Sequence, residues 1–281
     1  MKREEVSELV ERGIRELNEA LVAGKSDRLQ KYLDVMARFP RYSFNNCILV
    51  AIQFPEAQIV QGFRAWKKLG RTVKKGEKGI GIIAPMIGRK KNDDAGKRDE
   101  SNEKAIFGFK VVHVFDVSQT EGDELPEFAE VTGDPGDNIE AVEALIRSHG
   151  IELIYEAIPG GADGVSKKGT IVVAPDLEPA ARVGVLVHEL SHELLHQPSD
   201  RRNETTTTIR ETEAEAVAHV VCQALGLDTL EHSADYIQLY NGDSEVLVKS
   251  MDHIQKTAAQ ILEGIKANVA DVETESEELA A

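Results

Sequence analysis

The sequence predicts an α+β protein of two domains, and three observations predict it. Helical periodicity fills both ends of the 281 residues, whereas β-branched, period-two runs such as GIGIIAPMI and FGFKVVHVFDV lie in the first half and shorter ones in the second. A stretch rich in Pro, Gly and acids, LPEFAEVTGDPGDN, separates the halves as a domain junction would. Charge is also segregated: 33 Lys+Arg against 49 Asp+Glu leave a net −16, yet residues 61–91 hold ten basic residues and one acid, Glu77, a local +9. The expected organisation is a small α+β module over 1–125, an acidic linker over 126–137, a mostly helical domain with a small sheet over 138–270, and an acidic tail over 271–281.

The opening helix alternates charged and apolar residues three and four apart. Asp27 is a candidate N-cap for a second helix that Pro40 ends, and residues 44–53 form a third before Pro55. IVQGF, GIGIIAPMI and FGFKVVHVFDV then read as strands, the last two separated by a polar loop, GRKKNDDAGKRDESNEK. In the second half a helix runs from about Asn138 to His149 and stops at Gly150. It is followed by the strand IELIYEA, a glycine-rich turn PGGADG, and a strand over 170–174. Asp176 or Pro179 opens a helix to about His196, residues 211–225 form another that Gly226 stops, and a last one spans about 244–269. The tail DVETESEELAA reads as solvated and disordered.

Composition narrows the setting. An apolar share of 41% rules out wholesale disorder. Cys47 and Cys222 form neither a CxxC nor a disulfide framework, which fits a reducing compartment. With no signal-peptide pattern and no apolar run near 18 residues, the expectation is a cytoplasmic protein without a membrane partner.

The chemistry sits in VLVHELSHELLH. His188 and His192, four apart on a helix, project from one face and can bind one Zn²⁺ through two imidazoles. Glu189 is placed to act as base on water rather than to ligate. The next helix offers Glu211, Glu213 and Glu215 as a third ligand. Glu211 and Glu215 share a face, so Glu211 is the expected ligand and Glu215 the acceptor that orients an imidazole N–H, with Glu213 the open alternative. His196 lies a turn beyond His192, and the HExxHxxGxxH form needs a glycine this sequence lacks. His232 and Tyr236 are further candidates for stabilising a tetrahedral intermediate. Such a site hydrolyses amides, and the strand over 170–174 is expected to pair its edge with an extended peptide or protein substrate.

The basic segment FRAWKKLGRTVKKGEKG supplies Arg64, Lys67, Lys68, Arg71, Lys74, Lys75 and Lys78 for phosphates and Trp66 for base stacking, the combination that binds single-stranded nucleic acid. The competing reading makes Trp66 a core residue and the lysines a solubilising face.

Both halves resemble one arrangement. RYSFNNCILVAIQFP, QIVQGFRAWKKLGRTVKKGEKGIGIIAPM and FKVVHVFDVSQTEG look like the N-terminal domain of the ArdC-type antirestriction proteins. HELSHELLH followed by ETEAEAVAHVVCQALGL is similar to the zinc peptidase-like domain of the same proteins and to the ImmA/IrrE metallopeptidases. The resemblance implies single-stranded DNA binding in the first half, a gluzincin-like zinc site in the second, carriage by mobile elements and protection of incoming DNA. Its ExxA[DEN] pattern falls on Glu211, Ala214 and Glu215. Two other readings follow from the same residues: an acidic mimic of DNA, suggested by the −16 charge, and an inactive peptidase used as a protein-binding scaffold.

Overall fold

The computed structural model describes residues 2–23, 27–89, 104–123, 135–197, 199–227 and 244–279. The heart of the expected linker, most of the polar loop, and His232 and Tyr236 lie outside the described residues. The fold is two-domain α+β, predominantly helical with small sheets. Its compact units are not contiguous in sequence. Met1–Gly13 packs with Ile48–Leu125, and Ile14–Cys47 packs with Pro126–Ala281.

The chain begins with α1 (Arg3–Val22), α2 (Asp27–Arg38) and α3 (Phe44–Gln53). In the first unit, β1 (Val60–Gly62), β3 (Ile80–Arg89) and β4 (Lys104–Asp116) form an antiparallel sheet in the order β1-β4-β3. The side-chain amide of Gln53 extends that sheet, exchanging two 2.9 Å bonds with the backbone of Gly81. After Gly62 the chain does not continue as a strand. Residues Phe63–Lys68 wind into α4, because Trp66 drives into the core and its indole N–H donates to the Phe115 carbonyl at 2.8 Å. Short strands β2 (Arg71–Val73) and β5 (Thr120–Gly122) pair beside it. Asp116 caps the 3-10 turn between β4 and β5, in a reciprocal capping box with Gln119.

The second unit holds α5 (Pro135–Ser148), β6 (Glu152–Tyr155), β7 (Gly164–Ser166), β8 (Thr170–Val173), α6 (Pro179–His196), α7 (Ser199–Glu204), α8 (Thr207–Ala224) and α9 (Ser244–Leu279). The sheet order β6-β8-β7 corrects one expectation: β8 pairs on both sides, parallel with β6 and antiparallel with β7. It therefore has no edge for a substrate; the outer strands are β6 and β7, and β7, folded from the end of the glycine-rich turn, is the one that lines the cleft. The amphipathic α2 buries Leu29, Tyr32, Leu33 and Met36 in this same unit, where Asp34 and Gln30 meet His219 of α8 at 3.2 and 2.6 Å. Gln255 of α9 donates to the Pro40 carbonyl at 2.8 Å. The tail was expected to be disordered, yet the backbone of α9 runs helically to Leu279. Its glutamates are good helix formers, and extending an existing helix avoids the cost of nucleation.

Candidate metal centre and basic surface

Pro179 opens α6 at a position where its missing N–H is no loss, and the helix then buries Val183, Leu186, Val187 and Leu190 on one side. That leaves His188 and His192 on the other, with their Nε2 atoms 3.1 Å apart. α8 is capped by Thr206, whose hydroxyl accepts from the Ile209 N–H at 3.2 Å. It places Glu211 Oε2 3.6 Å from His188 Nε2 and 3.4 Å from His192 Nε2. Donors held by one ion through tetrahedral bonds of about 2.05 Å stand about 3.3 Å apart, so this triangle has the size and the N/N/O chemistry that one divalent ion requires. Glu215 Oε2 lies 3.2 Å from His188 Nδ1, behind the ring. Thus Glu211, and not Glu213, meets both imidazoles, while Glu215 stands against His188.

Glu213 points into the protein. It is fully buried and accepts from His196 Nε2 at 3.0 Å and from the Arg201 guanidinium. Burial alone would raise its pKa, but the bonds from His196, Ser250 and Arg201 outweigh that and lower it. His196 is likewise buried, which depresses its pKa, and its Nδ1 stands 3.0 Å from His192 Nδ1. Helical spacing turns Glu213 away from Glu211 and Glu215, but nothing in the sequence pairs it with His196 and Arg201.

Burial works against the charged form of His188, yet hydrogen bonds to Glu211 and Glu215 prevail and raise its pKa to about 9. Bonds from the two imidazoles hold the Glu211 carboxyl well below the ordinary carboxylate range. Glu189 is shifted the other way: burial raises its pKa, partly offset by His188 and His192. A carboxylate with a raised pKa is the better proton acceptor near neutrality. The cleft, about 400 Å³, is lined by β7, α6 and the Arg202, Thr207, Arg210 and Glu211 wall. β7 lies close to Glu189 because residue 164 is glycine; a Cβ there would stand 2.7 Å from Glu189 Oε1 and 2.6 Å from Val185 Cγ1. Glu193, also unforeseen, holds β7 and the following turn by accepting from Ser166 Oγ at 2.5 Å and Gly169 N–H at 2.9 Å.

The basic segment divides. Arg64, Lys67, Lys68, Lys75 and Lys78 are exposed. Lys74 is exposed but donates to the Ser118 carbonyl at 2.9 Å, and Arg71 spends its guanidinium on Thr120 and Asp123. Trp66, expected to stack on bases, is 0% exposed, so the core reading is right for it. The exposed aromatic rings of this unit are Phe63 on α4 and Phe107 and Phe109 on β4. Phe107 sits at a β-bulge, its ring occupying the place a side chain at Gly88 would fill.

Comparison with known proteins agrees with both halves. Residues 3–115 match the N-terminal domain of the anti-restriction factor ArdC, and residues 146–225 match an IrrE N-terminal-like domain of the M78 peptidase type. The fold resembles crystal structures of the antirestriction ArdC protein from plasmid R388. The metal-free form is 19% identical with a TM-score of 0.58, covering 94% of this chain and 98% of that one. The Mn(II)-bound form is 20% identical with a TM-score of 0.52, covering 93% and 98%. An uncharacterized Bacillus anthracis protein is 27% identical over 287 residues, 86% of this chain and 48% of the relative, so the chain spans about half the length of that curated relative. No helix among the described residues is long and apolar enough to cross a membrane.

Proposed function

We propose that this chain, which joins an ArdC N-terminal-like domain to an IrrE-like M78 domain, acts in antirestriction, binding single-stranded DNA through its first domain and hydrolysing peptide bonds at a zinc site in its second. The observation that carries the second half is the triangle of His188, His192 and Glu211 beside the buried Glu189. These three would hold the ion, which when bound supplies Lewis-acid polarisation of a carbonyl and acidification of water. Glu189 accepts the proton of the attacking water and returns it to the leaving amine. β7, the outer strand that lines the cleft, offers its edge to an extended substrate, whose backbone would add to the sheet. For the first half, the exposed lysines and Arg64 meet phosphates, and the stacking role moves from Trp66 to the exposed phenylalanines.

The test is paired. Metal analysis of the purified full-length protein should find one zinc per chain, lost in His192→Ala and kept in Glu189→Gln, while only the unaltered chain cleaves a peptide library. Absence of zinc from the unaltered protein refutes the site. Filter binding of a labelled oligonucleotide that is indifferent to charge removal at Lys67, Lys68 and Lys75 refutes the DNA assignment.

A further inference from the structure

We propose that His196, held by Glu213 and Arg201, is a positioning residue that fixes His192 in its Nδ1–H tautomer and so turns the Nε2 lone pair towards His188 and Glu211. The inference rests on the metal-site reading above for its purpose, though not for its geometry. Arg201 can only donate, so Glu213 Oε1 accepts from it. The carboxylate that remains is an acceptor at its other oxygen, 3.0 Å from His196 Nε2, and that nitrogen must therefore carry the hydrogen. A neutral His196 then has a bare Nδ1. A proton added there would place a second cation against a guanidinium that already balances the one buried carboxylate. His192 Nδ1, 3.0 Å away, satisfies this lone pair only as an N–H donor. Its Nε2 is left unprotonated, facing His188 Nε2 at 3.1 Å.

With Glu213 ionised and His196 neutral, the alternatives at these two contacts set two hydrogens or two lone pairs against each other in a region where the side chains of His196, Glu213 and Arg201 are 3%, 0% and 11% exposed. At His188 a hydrogen is held on Nδ1 by a shorter route, with Glu215 directly behind that nitrogen. One ligand is oriented by a carboxylate, the other by a histidine that a carboxylate orients in turn.

The experiment uses full-length protein labelled with ¹⁵N-histidine. Two-bond ¹H–¹⁵N spectra of the metal-free form should show His192 protonated at Nδ1; protonation at Nε2 overturns the inference without any variant. His196→Phe keeps the ring volume but offers no acceptor, and should lose the tautomer preference and weaken Zn²⁺ and Co²⁺ affinity about 10–100-fold in chelator competition. His196→Gln, whose amide oxygen is an acceptor, should recover most of that affinity and the wild-type Co²⁺ absorption spectrum. Affinity in His196→Phe within twofold of wild type, or no difference between the Phe and Gln variants, overturns it. A wild-type protein that shows the Nδ1–H tautomer yet binds neither metal would refute the metal-site reading and leave the tautomer assignment standing.

Discussion

His188 and His192 occupy equivalent places on one helix face, and what stands around each ring sets how it meets a metal ion. Glu211 and Glu215 favour a proton on His188, whose pKa rises to about 9 against the cost of burial. A raised pKa means the folded, metal-free protein binds that proton more tightly than the unfolded chain. Its stabilising effect is full below about pH 6.5 and fades as pH rises towards about 9. A metal ion must displace the same proton, so apparent Zn²⁺ affinity should fall about tenfold for each pH unit below about 9 on account of His188 alone. Chelator competition between pH 6 and 9.5 measures this, and a flat profile contradicts it. Residue burial also separates two aromatics that composition treats alike. Trp66→Ala empties a fully buried site and should destabilise by about 3–5 kcal/mol in chemical unfolding. Phe107→Ala removes a ring that is 61% exposed and should leave stability nearly unchanged while costing about 1–3 kcal/mol of oligonucleotide affinity. If Trp66→Ala instead weakens DNA binding in a stably folded protein, the exchange of roles is wrong.

Among elements, those with long periodic patterns were legible to within a few residues. The third helix ends just before Pro55 and the one carrying HELSH starts at Pro179, where the proline signals place them. The short elements were not. α4 depends on one tryptophan finding a distant carbonyl, and β7 is three residues that become a strand only by pairing with β8. Yet β7 forms one wall of the cleft, and Gly164 lets it approach α6. A methyl group at 164 would meet Val185 and Glu189 within 2.7 Å, so Gly164→Ala should push the strand from the helix, displace Glu189 and cut hydrolysis at least tenfold. Gly184→Ala is the matched control: it lies in α6 with nothing within 4 Å of the added carbon, and should stabilise the protein by about 0.5–1 kcal/mol while leaving hydrolysis intact. Thermal unfolding together with peptide cleavage distinguishes the two, and equal activity in both variants would remove β7 from the site.

For the molecule as a whole, chain order and packing order differ. Ile14–Cys47 falls within the stretch matched to the ArdC N-terminal domain yet packs with the second half. A helix with an apolar face announces that it will be buried, but not against what, so this could not be read from α2's pattern. Charge behaves similarly: the sum of −16 argues against a polyanion, whereas residues 61–91 carry +9, and the structure reduces that to a smaller working set. Arg71 is engaged with the backbone of its own unit and Lys74 is tethered, which leaves Arg64, Lys67, Lys68, Lys75 and Lys78 exposed within the expected interface. Five phosphate contacts on single-stranded DNA predict a slope of log K against log salt near −3.5, about −0.7 for each contact neutralised. Charge removal at Lys67 and Lys68 together should lower the slope by about 1.4, and at Arg71 should leave it unchanged while weakening the fold. An acidic mimic of DNA makes the opposite forecast. It would not retain an oligonucleotide at low salt, and its inhibition of a restriction enzyme would persist in the Lys67 and Lys68 variants, because the carboxylates responsible for it lie elsewhere in the chain.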